Sequence, residues 1–317
     1  MGALVAPIAL VFERLVGYPD WLVRRIGHPV MWMGALIAQL DKGLNGGAGR
    51  RGKGVAALVL LLGVTGVVSV AVAWLCRMLP FGFLVEAVLA STLIAQKSLG
   101  DAVAAVAAGL RRSLAEGRTT VSHIVGRDPQ VLDEAGVARA AVESLAESSS
   151  DGVVAPLFWL VLLGLPGIAL YKAANTADSM IGHKTERHLA FGWAAAKFDD
   201  LVNLVPARLT ALLVAGAAFF VRGAAPAAAW ATARRDAHKH DSPNAGWPEA
   251  AFAGALGYTL GGPRSYAGEV VDLPSFGAGR ADLGPADIER ALGLYRATLN
   301  LTLAATLVVA AMLWWLG

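Results

Sequence analysis

Two stretches of this chain carry no charged residue and are each long enough to cross a lipid bilayer: Gly54 to Cys76 and Thr298 to Gly317. About 20 apolar residues in helical form span roughly 30 Å of hydrocarbon. Lipid offers no hydrogen-bond partners, so the backbone of such a run must bond to itself, and a helix does so within one segment. The composition agrees. Hydrophobic residues make up 56% and charged residues 16% of the chain, against about 25% charged in an ordinary soluble protein. The fold expected is all-α: a polytopic membrane helical bundle with about four to six membrane-embedded segments and helical cytoplasmic regions. No linker-like stretch divides it, so residues 1–317 read as a single membrane-embedded domain.

Other segments are less regular. Phe81 to Gln96 holds one charge, Glu86, and is expected to pair with the preceding span as a hairpin. A lone carboxylate in such a run should face the bundle interior or water. Gly152 to Tyr171 is uncharged but carries Pro156, Gly164, Pro166 and Gly167, which predicts a discontinuous or re-entrant segment. Leu209 to Val221 looks too short to span, and Gly17 to Asn45, with Pro19 and Pro29, reads as an irregular loop. Met1 to Phe12 is apolar without a basic start, as expected of a retained helix rather than a cleaved signal. Lys42, Arg50, Arg51 and Lys53 precede the first clear span, and Arg111, Arg112 and Arg118 follow the hairpin. The excess of basic residues assigns both places to the cytoplasm. The polar stretch Lys172 to Arg208 is then expected to face a cavity open to the cytoplasm. The net charge of +3 and the absence of a basic stripe argue against nucleic acid, and the single Cys76 excludes an internal disulfide.

Polar residues cluster in four places. Glu143, Glu147 and Asp151 recur every four residues and line one helical face; this is either a solvated face or a carboxylate cluster for Mg²⁺ or protons. Asn175, Asp178, Ser179 and Gly182 share another face, with Lys172 one turn earlier and Lys184 just beyond. A polar stripe directly after an apolar run needs a wet cavity or a ligand to face. Asp199 and Asp200 are adjacent carboxylates that a cation would stabilise, and Asn203 shares a face with Asp199. The fourth region, Arg234 to Glu249, contains His238, His240 and Asn244 around a turn. Its two histidines are too weakly spaced to argue for zinc. A Gly-rich turn from Gly261 to Glu269 offers backbone N–H groups to an anion. No P-loop, GxSxG or HExxH pattern occurs. On residues alone, a transporter or a Mg-dependent prenyltransferase-like membrane enzyme competes with other phosphate chemistry, although no internal repeat supports the transporter.

Taken in order, several of these segments resemble the adenosylcobinamide-phosphate synthase family (CbiB/CobD) of cobalamin biosynthesis. They are His28–Trp32 (HPVMW), Val125–Asp128, Val142–Gly152 (VESLAESSSDG), Ala155–Phe158, Tyr171–Lys184, Asp199–Thr210 (DDLVNLVPARLT), His240–Glu249 and Leu260–Glu269. The chain departs from the family pattern at Tyr18, at Met31 (where an Arg is usual) and at Ser148. The resemblance implies an amide-forming, ATP-dependent ligase of the cell inner membrane. It would join adenosylcobyric acid to (R)-1-amino-2-propanol or its O-phosphate, with Mg²⁺ as cofactor and ATP as co-substrate. It implies metal contacts from Asp178, Asp199, Asp200, Asn175 and Asn203. Lys172, Lys184, Arg127 and Arg208 would hold phosphates or the substrate carboxylate, and Glu143 or Glu147 would take the proton of the attacking amine. His28, Trp32, His240 and Asn244 would line the corrinoid site. The partners expected are the corrinoid, the aminopropanol, the lipid bilayer, and either further copies of the chain or other membrane enzymes of cobalamin assembly.

Overall fold

A computed structural model describes residues 2–316 apart from 127, 263, 267, 268 and 272. In chain order the helices are α1 (Gly2–Val16), α2 (Asp20–Ile26), α3 (Pro29–Leu44), α4 (Arg50–Arg77), α5 (Gly82–Ser91), α6 (Gln96–Arg112), α7 (Leu114–Val121), α8 (Glu134–Ser149), α9 (Ala155–Ile181), α10 (Trp193–Ala217), α11 (Pro226–Asp236), α12 (Gly246–Leu256) and α13 (Pro285–Leu316). A π-helical turn, Ser150–Val154, joins α8 to α9. Among the described residues, strands are confined to two small antiparallel pairs: β1 (Leu260–Gly261) with β4 (Ser275–Phe276), and β2 (Arg264–Tyr266) with β3 (Glu269–Val271). Among the described residues five helical segments are long and apolar enough to cross a membrane, or six if α1 and the α2–α3 segment, bent by 104°, count as one span. The protein is thus an all-α polytopic membrane bundle. On α4, Val59, Leu60, Val64, Val67 and Trp74 all lie exposed, as suits a helix with lipid for solvent.

Two expectations are corrected. The segment Gly17–Asn45 is not irregular but forms α2 and α3, because its prolines sit at helix starts: Pro19 precedes α2, and Pro29 opens α3 at a position where the missing N–H costs nothing. Leu209–Val221 is not an isolated short run but the end of the long α10, whose first half carries the Asp199–Asn203 motif. The expected pairing after α4 is present: α5 packs against α4, and Gly82–Arg112, with a short break between α5 and α6, is one of the segments long and apolar enough to cross a membrane. The predicted discontinuity in Gly152–Tyr171 is real. Gly164 inside α9 adopts φ 68° and ψ −155°, which L side chains rarely enter, and Pro166 follows.

The chain groups into two compact units, each discontinuous in sequence: residues 1–95, 155–203 and 305–317, and residues 96–154 and 204–304. In the first, α9 packs against α1, α3, α4 and α5. Its core includes Ile37, Leu61, Ala173, Ala177, Phe191 and Ala195. Gly54 allows α4 to approach the Phe191 backbone so closely that a Cβ would collide with the Phe191 carbonyl. Buried Glu86 on α5 faces inward, as expected, and its Oε1 accepts a hydrogen bond from the Leu165 N–H (3.3 Å), just past the break in α9.

In the second unit α8 packs against α6, α7, α12 and β1, and α11 packs along α12. Tyr295 on α13 donates to the Gln96 carbonyl (2.9 Å). Tyr258 meets Asp287 (3.1 Å), and burial together with that carboxylate pushes its hydroxyl up to about 12. Asp236, fully buried, is gripped by both ends of the Arg235 guanidinium (2.8 and 2.6 Å), by Lys239 (2.7 Å) and by the Gly277 N–H (2.9 Å). The Arg235 fork holds its carboxyl well below the usual carboxylate range against the opposing effect of burial.

Candidate functional site

The first unit gathers most of the predicted polar residues between the second half of α9 and the start of α10. Tyr171 donates to Asn203 Oδ1 (3.0 Å), and Asn203 Nδ2 donates to Asp199 Oδ2 (3.0 Å). Asn175 Nδ2 approaches the other carboxylate oxygen, Asp199 Oδ1 (3.4 Å). Helical spacing explains the alignment. Tyr171, Asn175 and Asp178 are four and three residues apart on α9, and Asp199 and Asn203 are four apart on α10. Asp199 and Asn203 are buried, so the two amides stand in for water around that carboxylate. Asp178 and Asp200 both lie near enough to Asp199 to repel it, and Lys197 pairs with Asp200 (3.1 Å).

Three carboxylates so close together repel one another, and their hard oxygens suit a divalent cation. Among the described residues no three His, Cys, Asp or Glu side chains are arranged to enclose an ion by themselves. Asp199, Asp178 and Asp200 are the residues that could hold a divalent cation, together with oxygens from water or a substrate. Lys172 lies on the same half of α9, within electrostatic reach of His28.

Tyr171 stands four residues before Asn175, so the same helical spacing carried back one turn places it on the α9 stripe. A second group escaped notice altogether. Asp41 at the end of α3 pairs with Arg187 (2.5 Å), lies 3.4 Å from His188 and accepts from Asn45 (2.7 Å). Arg50 bonds Asn45 (2.8 Å) and the Arg187 carbonyl, and the Arg51 guanidinium stacks 3.7 Å above the Trp193 ring. The loop that carries Lys184 is thereby tied to the basic turn between α3 and α4. The partners are more than 130 residues apart in the chain, and no local pattern signals them.

His28 has a structural duty: its Nδ1 caps α3 by accepting from the Val30 N–H (3.2 Å). Trp32 donates to the Ile26 carbonyl (3.0 Å) and leaves more than half its surface exposed. Lys184 lies exposed beyond the end of α9.

The second unit holds the remaining candidates. Arg208 is not a bare cation. Its guanidinium bonds Asn244 Oδ1 (3.1 Å) and the Pro243 carbonyl (3.3 Å) and sits 4.9 Å from the Trp247 ring centre, so it braces the loop before α12. His240 Nδ1 accepts from the Ser242 N–H (2.9 Å), its Nε2 stands 3.6 Å from buried Glu249, and its ring stacks on Phe276.

Glu143, Glu147 and Asp151 do not share one environment. Glu143 is buried and accepts from the Gly261 N–H (2.7 Å), Glu147 is exposed, and Asp151 falls in the π-turn, whose wider winding breaks the four-residue register. The backbone N–H of Gly261 thus meets a carboxylate of the same chain rather than an external anion. Arg127 and part of the Gly261–Glu269 turn lie outside the described residues.

The model of a single family, described as CobD/Cbib protein, matches residues 6–295. The chain is 52% identical over 316 residues to a Rhodobacter capsulatus protein named cobalamin biosynthesis protein CobD, covering 98% of both chains. It is 52% identical to the Rhizobium meliloti protein of that name (93% of this chain, 92% of the relative) and 46% identical to the one from Brucella suis (98% and 97%). No solved structure matches it. With nearly its whole length aligned to such relatives, the chain belongs to the CobD/CbiB family.

Proposed function

We propose that this protein acts in cobalamin biosynthesis as an ATP-dependent amide ligase that joins adenosylcobyric acid to (R)-1-amino-2-propanol or its O-phosphate. The observation that carries the reading is the Tyr171–Asn203–Asp199–Asn175 chain with Asp178 and Asp200 beside it, in a member of this family. A carboxylate is a poor acyl donor. Transfer of the ATP γ-phosphoryl group to the propionate oxygen releases ADP and creates a leaving group. The amine nitrogen then attacks the acyl carbon, the C–O bond to phosphate breaks, and the nitrogen gives up a proton.

When bound, Mg²⁺ neutralises phosphoryl charge. Asp199, Asp178 and Asp200 are the residues that would hold it, with Asn175 and Asn203 fixing the Asp199 carboxylate in place. Lys172 would meet phosphate or substrate carboxylate oxygens. Glu143 and Glu147 are the two candidate proton acceptors. Exposed Glu147 reaches solvent, whereas Glu143 is already engaged by Gly261. The chamber would open to the cytoplasm, where ATP is found. The reading draws support from the ties between the Lys184 loop and the turn carrying Lys42, Arg50, Arg51 and Lys53, because such basic turns stay on the cytoplasmic side.

The test is an assay of the full chain in detergent with adenosylcobyric acid, ATP, Mg²⁺ and each amine form, with product mass measured. A product heavier by the amine less one water is expected. Asp199→Ala should lower turnover by about a hundredfold or more while the protein stays folded. No product with either amine would reject the ligase and return attention to a transporter. Near-normal turnover in Asp199→Ala and Asp200→Ala alike would reject this site.

A further inference from the structure

We propose that the second unit binds the headgroup of an anionic membrane phospholipid in the open groove between the end of α10 and the first half of α13. The groove holds about 510 Å³. Phe220 and Val221 form one wall, and Gly293, Arg296, Ala297 and Asn300 form the other. Leu301 closes its floor where α13 meets α10 near Gly216. The α13 residues follow one another at three- and four-residue steps, so they occupy a single helical face. That face is polar at one end, with Arg296 and Asn300, and apolar at the other, with Leu301 and Ala304.

Two independent features place this groove at the edge of the hydrocarbon. Charges on α13 end at Arg296, and the rest of that helix, from Ala297 onward, is uncharged. Just past the end of α10, Phe219 and Phe220 are each more than three-quarters exposed, and Arg222 stands two residues beyond Phe220. Exposed apolar rings suit hydrocarbon and a basic side chain suits the headgroups, so the step from one to the other marks the boundary. Arg296 is exposed, and among the described residues it has no carboxylate partner; Gly293 leaves the adjoining wall open, with nothing within 4 Å of where a Cβ would stand. A guanidinium at headgroup depth, beside an amide and above an apolar channel, matches a phosphodiester with its acyl chain. The planar fork bonds two phosphate oxygens, and the chain lies along Ala297, Leu301 and Ala304. A soluble phosphate compound would use the cation but leave the apolar floor uncovered.

The test is native mass spectrometry of the full chain released from detergent micelles doped with phosphatidylglycerol or with phosphatidylcholine of the same acyl chains. The expected result is a retained phosphatidylglycerol adduct at least several-fold more abundant than the phosphatidylcholine adduct. It should fall to the phosphatidylcholine level in Arg296→Gln. Gly293→Leu, which fills the groove without removing charge, should lower both adducts, and it carries the test if Arg296→Gln does not fold. Equal retention of the two lipids, or an unchanged phosphatidylglycerol adduct in whichever of the two variants folds, would overturn the proposal. Displacement of the lipid by inorganic phosphate alone would also overturn it, by showing a site for a free anion.

Discussion

Glu86 shows how one side chain can hold a helix that its own sequence breaks. The second half of α9 restarts at Leu165 with an N–H that has lost its carbonyl partner, and the buried Glu86 carboxylate accepts from it across 79 residues of chain. Leaving such a donor unsatisfied costs about 1–3 kcal/mol. Glu86→Ala should therefore lower the thermal unfolding midpoint in detergent, whereas Glu86→Gln, which keeps an acceptor, should recover most of the loss. Equal loss in both would assign Glu86 a role other than capping. Asp236 gives a pH signature of its own. Its unfolded carboxyl protonates near 3.8, while the folded one stays ionised to lower pH under the grip of Arg235 and Lys239. The stabilisation is thus complete at neutral pH and drains away as the pH falls below about 4. Acid unfolding of wild type and Asp236→Asn should converge in that range and differ at pH 7; a constant difference across the range would contradict it. That Asp236 mattered was not legible in the sequence, where it reads as one charge among several in Arg234–Asp241. Its partner Gly277 N–H lies 41 positions away.

At the scale of elements, the break in α9 was legible because Gly and Pro act through local backbone sterics. Gly164 stands where a Cβ is penalised by about 1–3 kcal/mol. Gly164→Ala should destabilise the protein by about that amount in a thermal melt, and no change would mean that the helix can close through the break. The polar stripes on α9 and α10 were legible for a similar reason, since residues three and four apart must share a helical face. Their meeting was not, because spacing within a helix says nothing about which helix lies opposite. The continuity of α10 was not legible in the sequence. Asp199, Asp200 and Arg208 lower local hydropathy, so the sequence reads as a polar stretch followed by a short apolar run. Hydrogen bonds from Asn175 and Asn203 offset part of the cost of burying Asp199, and one helix runs through the motif.

For the whole molecule, the decisive question is which side of the membrane each polar cluster faces. If Gly152–Tyr171 crossed completely, Lys172–Arg208 would fall on the side opposite the basic turns. The Asp41–Arg187 pair and the Arg50 contacts tie the Lys184 loop to the most basic turn of the chain. A Lys184→Cys variant in a Cys76→Ala background should react with a membrane-impermeant maleimide in inverted vesicles and resist it in intact cells. The reverse pattern would place the carboxylates of α9 and α10 away from ATP and defeat the ligase.

The sequence by itself determined that this chain is a helical membrane protein, where α9 breaks and which faces carry charge. Those properties follow from the solvent and from residues a few positions apart. Only the tertiary structure decided that Asn175 reaches Asp199, that Arg208 braces a loop and that Glu86 caps a distant helix. Each of these contacts joins a polar group to a partner from elsewhere in the chain, and such pairings depend on packing rather than on periodicity.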